Sequence, residues 1–131
     1  MKKLLAVLLL FIGLQTFSQK QANIWYFGQG AGVDFNFSPP RALTDGQLYT
    51  LEGCSTFSDS DGELLFYSDG TTVYDKNHNI MNYTNGNPGN NLLGNSSAAQ
   101  SGMIIPKPLN NDIYYLFTVT DNNSATGFNV Y

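Results

Sequence analysis

Past Gln19 the chain never runs far without a turn former, and this punctuation constrains the fold more than any other feature. No window of about 11 residues there repeats apolar side chains at i, i+3, i+4 and i+7, the spacing an amphipathic helix needs. Short aromatic and β-branched runs alternate instead with clusters of Gly, Asn, Asp and Pro. The runs predict strands over residues 24–27, 33–37, 54–58, 64–68, 71–74, 103–105, 113–120 and 128–131. Residues 28–32, 59–62, 69–70 and 109–112 read as turns, where glycine supplies positive φ and Asn or Asp tolerate it. Gaps this short cannot hold the crossover helix that parallel strands require, so the expected class is all-β and antiparallel. One stretch breaks the rhythm: residues 77–95 hold eight Asn, three Gly and one Pro. It reads as a long surface connection with room for one short strand around Ile80 and Met81.

Residues 1–18 read as a secretory signal peptide. Lys2 and Lys3 supply the positive start, and Leu4 to Leu14 is an apolar run of eleven residues, short of the roughly 20 a spanning helix needs. Thr16 and Ser18 place small residues where a signal peptidase reads, with cleavage before Gln19. The alternative is a buried N-terminal helix, which the apolar character on all sides and the polar Gln19-Lys20-Gln21 that follows disfavour. The chain 19–131 keeps Lys20, Arg41, Lys76 and Lys107 against ten acidic residues, a balance of −6. Four scattered cations make no footprint for nucleic acid or for an anionic membrane surface. One cysteine, Cys54, excludes an internal disulfide framework and a cysteine-based zinc cluster. A buried, inert thiol is its ordinary role, and an intermolecular or downstream disulfide is the alternative.

The chain also repeats itself. Residues 52–58 (EGCSTFS) align with 100–106 (QSGMIIP) at an offset of 48, and Leu65-Phe66 with Leu116-Phe117 at 51. Both copies reach a glycine turn, at Gly70 and Gly127, and then start another strand. Residues 24–35 offer a partial third copy. A period near 50 with three or four short strands per unit is the signature of a β-propeller blade. The expected architecture is therefore a partial propeller of about two blades plus a partial one over 19–131, the N-terminal fragment of a larger domain. A β-sandwich is the alternative. The register sets Glu52, Gln100 and Ser101 immediately before the inner strands of successive blades, which makes them candidate ligand-binding residues.

The blocks Asn23 to Gly28 with Ala31 to Phe35, Ala42 to Gly46 with Leu51 to Cys54, Leu64 to Gly70 with His78 and Met81, and Gln100-Ser101 with residues 104–108 and 113–118 occur in order. In that order they resemble the N-terminal propeller-like region of large exported Bacteroidota proteins. The resemblance covers about residues 23 to 120. It implies downstream adhesin-like modules and a C-terminal sorting domain of the gliding-motility-associated kind, read by the type IX secretion machinery. It also implies display at the cell surface or release, and it transfers no catalytic residue.

Other motifs fall to plainer readings. Gly28-Gln29-Gly30-Ala31-Gly32 lacks the helix that a dinucleotide loop requires behind it. Asp59-Ser60-Asp61-Gly62-Glu63 opens like a calcium loop, which makes Asp59 and Asp61 weak metal candidates, but position 12 of such a loop would be Gly70. His78, the single histidine, has no Gly-x-Ser-x-Gly elbow to serve and reads as a solvated or turn residue. The sequence thus points to an exported, non-enzymatic binding or adhesion module with no cofactor and no membrane span. Its partners would be the rest of a longer chain and an extracellular glycan or protein. A polysaccharide-active enzyme with its site elsewhere, and a plain spacer, are the alternatives. Cleavage after Ser18 predicts that mass spectrometry of exported protein finds Gln19, or its cyclised form, at the N-terminus; intact Met1 would contradict it.

Overall fold

The computed structural model describes residues 20–83, 86–120 and 127–131, so the leader lies outside the described residues. The chain is all-β and antiparallel, with no α-helix among the described residues. After a 3-10 turn at Lys20–Ala22, three consecutive strands form each of three sheets. Sheet 1 is β1 (Ile24–Phe27), β2 (Ala31–Asp34) and β3 (Arg41–Leu43). Sheet 2 is β4 (Ser55–Ser58), β5 (Leu64–Ser68) and β6 (Val73–Asp75). A two-stranded hairpin, β7 (Asn82–Tyr83) and β8 (Asn87–Pro88), precedes sheet 3, which is β9 (Gly102–Pro106), β10 (Tyr114–Val119) and β11 (Phe128–Val130).

The sheets stack in chain order around two apolar layers. Ile24, Tyr26, Leu48, Leu64 and Tyr67 fill the layer between sheets 1 and 2. Phe66, Val73, Leu92, Ile104 and Leu116 fill the layer between sheets 2 and 3. Sheet 2 therefore needs apolar side chains on both faces, and a register shift between Phe57 and Ser58 provides them. The shift lets Leu64 and Tyr67 face sheet 1 while Phe66, with Leu65 beside it, faces sheet 3. Burying each large side chain contributes about 1.5–3 kcal/mol.

The first strands of the three sheets lie side by side. Thr56 on β4 reaches β1: its hydroxyl accepts from the Tyr26 amide at 2.9 Å and lies 3.3 Å from the Tyr26 carbonyl. Its neighbour Ser55 points to the opposite face, as the two-residue period of a strand demands, and accepts from the Ile104 amide of β9 at 3.3 Å. Backbone meets backbone where sheets 2 and 3 join. Gly70 has φ +82, and a Cβ there would collide with the Ser101 carbonyl. A Cβ on Gly53 would collide with the Ser101 amide.

Several expectations need correction. The strand expected over 33–37 ends at Asp34, because the Asp34 carboxylate takes the Asn36 amide at 2.9 Å and turns the chain. The strand expected to open at Thr71 opens at Val73, because Asp69 Oδ1 accepts from the amides of Thr71 and Thr72, each at 2.8 Å. The partial third copy is a full three-stranded sheet: Arg41, opposite Asp34 in register, forms an ion pair with it at 3.2 Å. Within the stretch expected to be a long connection, Asn82–Tyr83 pairs with Asn87–Pro88, and in place of the strand expected around Ile80 and Met81, Ile80 makes an isolated bridge to Tyr74. The starts of β1 (Ile24) and β4 (Ser55) are 31 residues apart and those of β4 and β9 (Gly102) 47, so that hairpin segment stretches the second interval.

Thr56→Val keeps the shape of the side chain but orphans a buried amide. We expect a loss of about 1–3 kcal/mol in urea unfolding. Gly70→Ala should lose more, since the left-handed backbone alone costs about 1–2 kcal/mol and Ser101 must also move.

Candidate functional site

Glu52 and Gln100 line one open depression together with Ser97, Ala98 and Val119. Glu52 stands three residues before β4 and Gln100 two before β9, so the depression lies at the entry ends of adjacent first strands. A loop builds its floor. The Ser96 carbonyl accepts from the amides of Leu51 and Glu52 at 3.2 and 3.3 Å, and the Ala98 carbonyl from the Gly53 amide at 3.2 Å. The Asn95 side chain holds this loop by accepting the Ser97 amide at 2.8 Å.

Ser101 sits differently from the other two candidates. It is fully buried, and its hydroxyl donates to the Gly53 carbonyl. Its carbonyl accepts from the Val119 amide at 3.3 Å. Ser101 thus supports the depression from below, while Glu52 and Gln100 are exposed at its wall. Chemically the wall offers one carboxylate, one carboxamide and the Ser97 and Thr120 hydroxyls, a set suited to hydrogen-bonding a polar ligand. Glycoside hydrolysis uses two carboxylates flanking one bond. Among the described residues, Glu52 is the single acid lining this depression.

The Asp59–Glu63 turn has a structural use for its first carboxylate. Asp59 Oδ1 accepts from the amides of Asp61 at 2.9 Å and Glu63 at 3.0 Å, closing the β4–β5 hairpin. The same device recurs at Asp75, whose Oδ1 takes the amides of Asn77 at 2.8 Å and Asn79 at 2.9 Å. The positive-φ position is Gly62 in the first turn and His78, at φ 65, in the second. Cys54 packs against the first apolar layer; burial, with the Asp69 charge second, pushes its thiol pKa up and keeps it protonated.

A polar cluster that sequence reasoning missed lies between sheets 1 and 2. His78 is a turn residue as expected, but its ring is packed and not solvated. It lies 5.5 Å from the Tyr26 ring and 5.8 Å from the Tyr67 ring. Tyr67, itself fully buried, accepts from the Gln47 amide at 3.1 Å and shares a hydrogen bond with His78 Nδ1 at 2.8 Å. The other ring nitrogen, Nε2, faces Asp45 Oδ2 at 3.5 Å. Asp45 Oδ1 also accepts from the Tyr26 hydroxyl at 2.8 Å. The recurrence of Asp-x-x-x-Glu/Asn at Asp59 and Asp75 marks both as tight turns, but nothing local to His78 announces its partners Tyr67 and Asp45. Asp45 and His78 link Tyr26 of sheet 1 to Tyr67 of sheet 2, so the constellation clamps the two sheets together.

An open cleft lies between sheets 2 and 3, lined by Phe66, Asn82, Tyr83, Leu92, Tyr114 and Tyr131. The Tyr131 hydroxyl accepts the Leu93 amide at 2.9 Å and pins the hairpin segment to sheet 3. Comparison with family models, with curated proteins and with solved structures returned no match.

The clamp sets a pH response with opposite signs at the two ends of the scale. The Tyr26 hydrogen bond holds the Asp45 carboxyl below its usual pKa. That stabilisation is present above the ordinary carboxylate range and disappears as pH falls through the depressed value. Burial pushes the Tyr67 hydroxyl up to about 12. Its contribution is complete below about pH 10 and disappears as pH rises towards the folded value. In an alkaline titration, tyrosinate absorbance from Tyr67 should therefore lag that of the exposed tyrosines and appear with unfolding. Asp45→Asn should flatten the acid limb of the stability curve.

Proposed function

We propose that this chain is the ligand-binding part of an exported, propeller-type module that acts at the cell surface. The observation that carries the reading is the shared depression of Glu52 and Gln100. Two residues 48 apart meet at the entry ends of adjacent first strands, the place where a propeller gathers polar side chains around its axis. Three successive three-stranded meanders, joined through β1, β4 and β9, support the propeller over a sandwich. A sandwich has one core layer between two sheets, whereas this stack has two.

Export rests on the leader, and passage by the type IX machinery rests on the resemblance alone. Among the described residues no helix is long and apolar enough to cross a membrane. The ligand class that fits is an extracellular glycan, because adjacent carboxylate, amide and hydroxyl groups match the donors and acceptors of sugar hydroxyls. The proposed role is binding without a cofactor, and the single carboxylate on this wall fits ligand recognition better than the paired carboxylates of glycoside hydrolysis.

Calorimetric titration of the purified chain against a panel of neutral polysaccharides tests this. Glu52→Gln and Gln100→Ala should each weaken binding about tenfold, or ~1.4 kcal/mol, with the thermal midpoint unchanged. Binding indifferent to both substitutions would move the site elsewhere, and no binding to any glycan would remove the ligand class.

A further inference from the structure

The cleft between sheets 2 and 3 is built from aromatic rings, unlike the depression at Glu52 and Gln100. It opens on to the second apolar layer, through Phe66, Leu92 and Leu116. Three separate segments add tyrosines to its lining: Tyr83 of β7, Tyr114 of β10 and Tyr131, which follows β11. Tyr83 meets Tyr131 with ring centroids 5.4 Å apart, and Phe66 meets Tyr114 at 5.1 Å. The ring planes stand 76° apart in both pairs, so aromatic surfaces bound the cleft in more than one direction.

The polar groups around these rings narrow the choice of guest. The Tyr131 hydroxyl accepts the Leu93 amide, and the Tyr114 hydroxyl donates to the Asn111 carbonyl at 3.1 Å. Two of the three phenols are thus engaged with backbone, and what they offer a guest is mainly the ring. An aromatic ring is negative on its faces and attracts a cation. Asp112 adds a carboxylate to the same lining, and among the described residues no lysine, arginine or histidine lines the cleft. The Asp112 amide donates to the Asn110 side chain at 2.9 Å, which fixes the turn that carries this charge. A neutral apolar guest would strip water from the carboxylate and return nothing. A small inorganic cation would leave the apolar floor uncovered. A methylated ammonium group meets both demands, because its positive charge is spread over methyl groups and is weakly hydrated.

We propose that this cleft binds an organic ammonium compound of the choline type, with its methylated head among Tyr83, Tyr114 and Tyr131 and its charge towards Asp112. The site is distinct from the glycan depression, and no residue lines both. It depends on neither the propeller reading nor the leader, since its walls are the second apolar layer and the hairpin segment that Tyr131 pins to sheet 3.

Choline chloride titrated into the purified chain tests this, followed by calorimetry and by the proton resonance of the choline methyl groups. The expected result is saturable binding, with the methyl resonance moved upfield by the ring currents of the tyrosines. Neohexanol has the shape of choline with carbon in place of the charged nitrogen, and it should bind about tenfold more weakly. Tyr83→Leu keeps an apolar wall but removes a ring, and should weaken choline binding about tenfold. Asp112→Asn should weaken it several-fold and reduce its dependence on salt, with neohexanol unaffected. Thermal unfolding checks that both variants are folded; if the Tyr83 variant is not, the comparison of choline with neohexanol and the Asp112 variant decide. Co-sedimentation with phosphatidylcholine vesicles would identify the head as that of a lipid, and choline binding without it would identify a free solute. Equal affinity for choline and neohexanol would reduce the cleft to a plain apolar gap and overturn the proposal. Choline binding indifferent to both substitutions, or no choline binding at all, would overturn it too. None of these outcomes touches the glycan test at Glu52 and Gln100.

Discussion

Two adjacent hydroxyls on one strand hold the three sheets in sequence. Ser55 and Thr56 point to opposite faces of β4 because strand side chains alternate, and each meets a backbone amide of a neighbouring first strand. A hydroxyl is a short side chain, so these bonds form only if the strands come close. The close approach then dictates the small residues nearby. Gly53 and Gly70 fit against the backbone of Ser101, and the Ser101 hydroxyl secures the Gly53 carbonyl. The apolar layers supply most of the stabilisation, but they are non-directional. Register between the sheets comes from the hydroxyls and from the glycine contacts.

The elements legible in the sequence are those whose chemistry is local. The Asp-Gly turns, β5 and β10 follow from residue type alone. Strand β3 was not legible, because Arg-Ala-Leu has no strand pattern and is placed by pairing with β2. The aromatic residues Phe35 and Phe37 imitate a strand, yet the Asp34 carboxylate competes for the backbone and wins. Residues 64–67, four apolar side chains in succession, announce a strand buried on both faces; the register shift behind that pattern shows only in the pairing.

The candidate site was legible to the same extent. An offset of 48 was enough to align Glu52 with Gln100, and the fold sets both on one wall. It could not tell that Ser101, one residue on, points inwards, since which residue faces out depends on neighbouring sheets. His78 was opaque for a related reason. Its partners Asp45 and Tyr67 belong to other segments, and a polar residue among asparagines looks solvated until those segments meet.

The meander arrangement also has a consequence for how the chain finds its fold. Within a sheet, every strand pairs with one a few residues away, so hairpin closure costs little chain entropy. The contacts that join the sheets span 30 residues for Tyr26 with Thr56 and 49 for Ser55 with Ile104. The slow part of folding is therefore the docking of sheets already paired internally, and its rate follows the length of chain between them. The hairpin segment ahead of β9 lengthens the second of those loops, which makes the third sheet the late arrival.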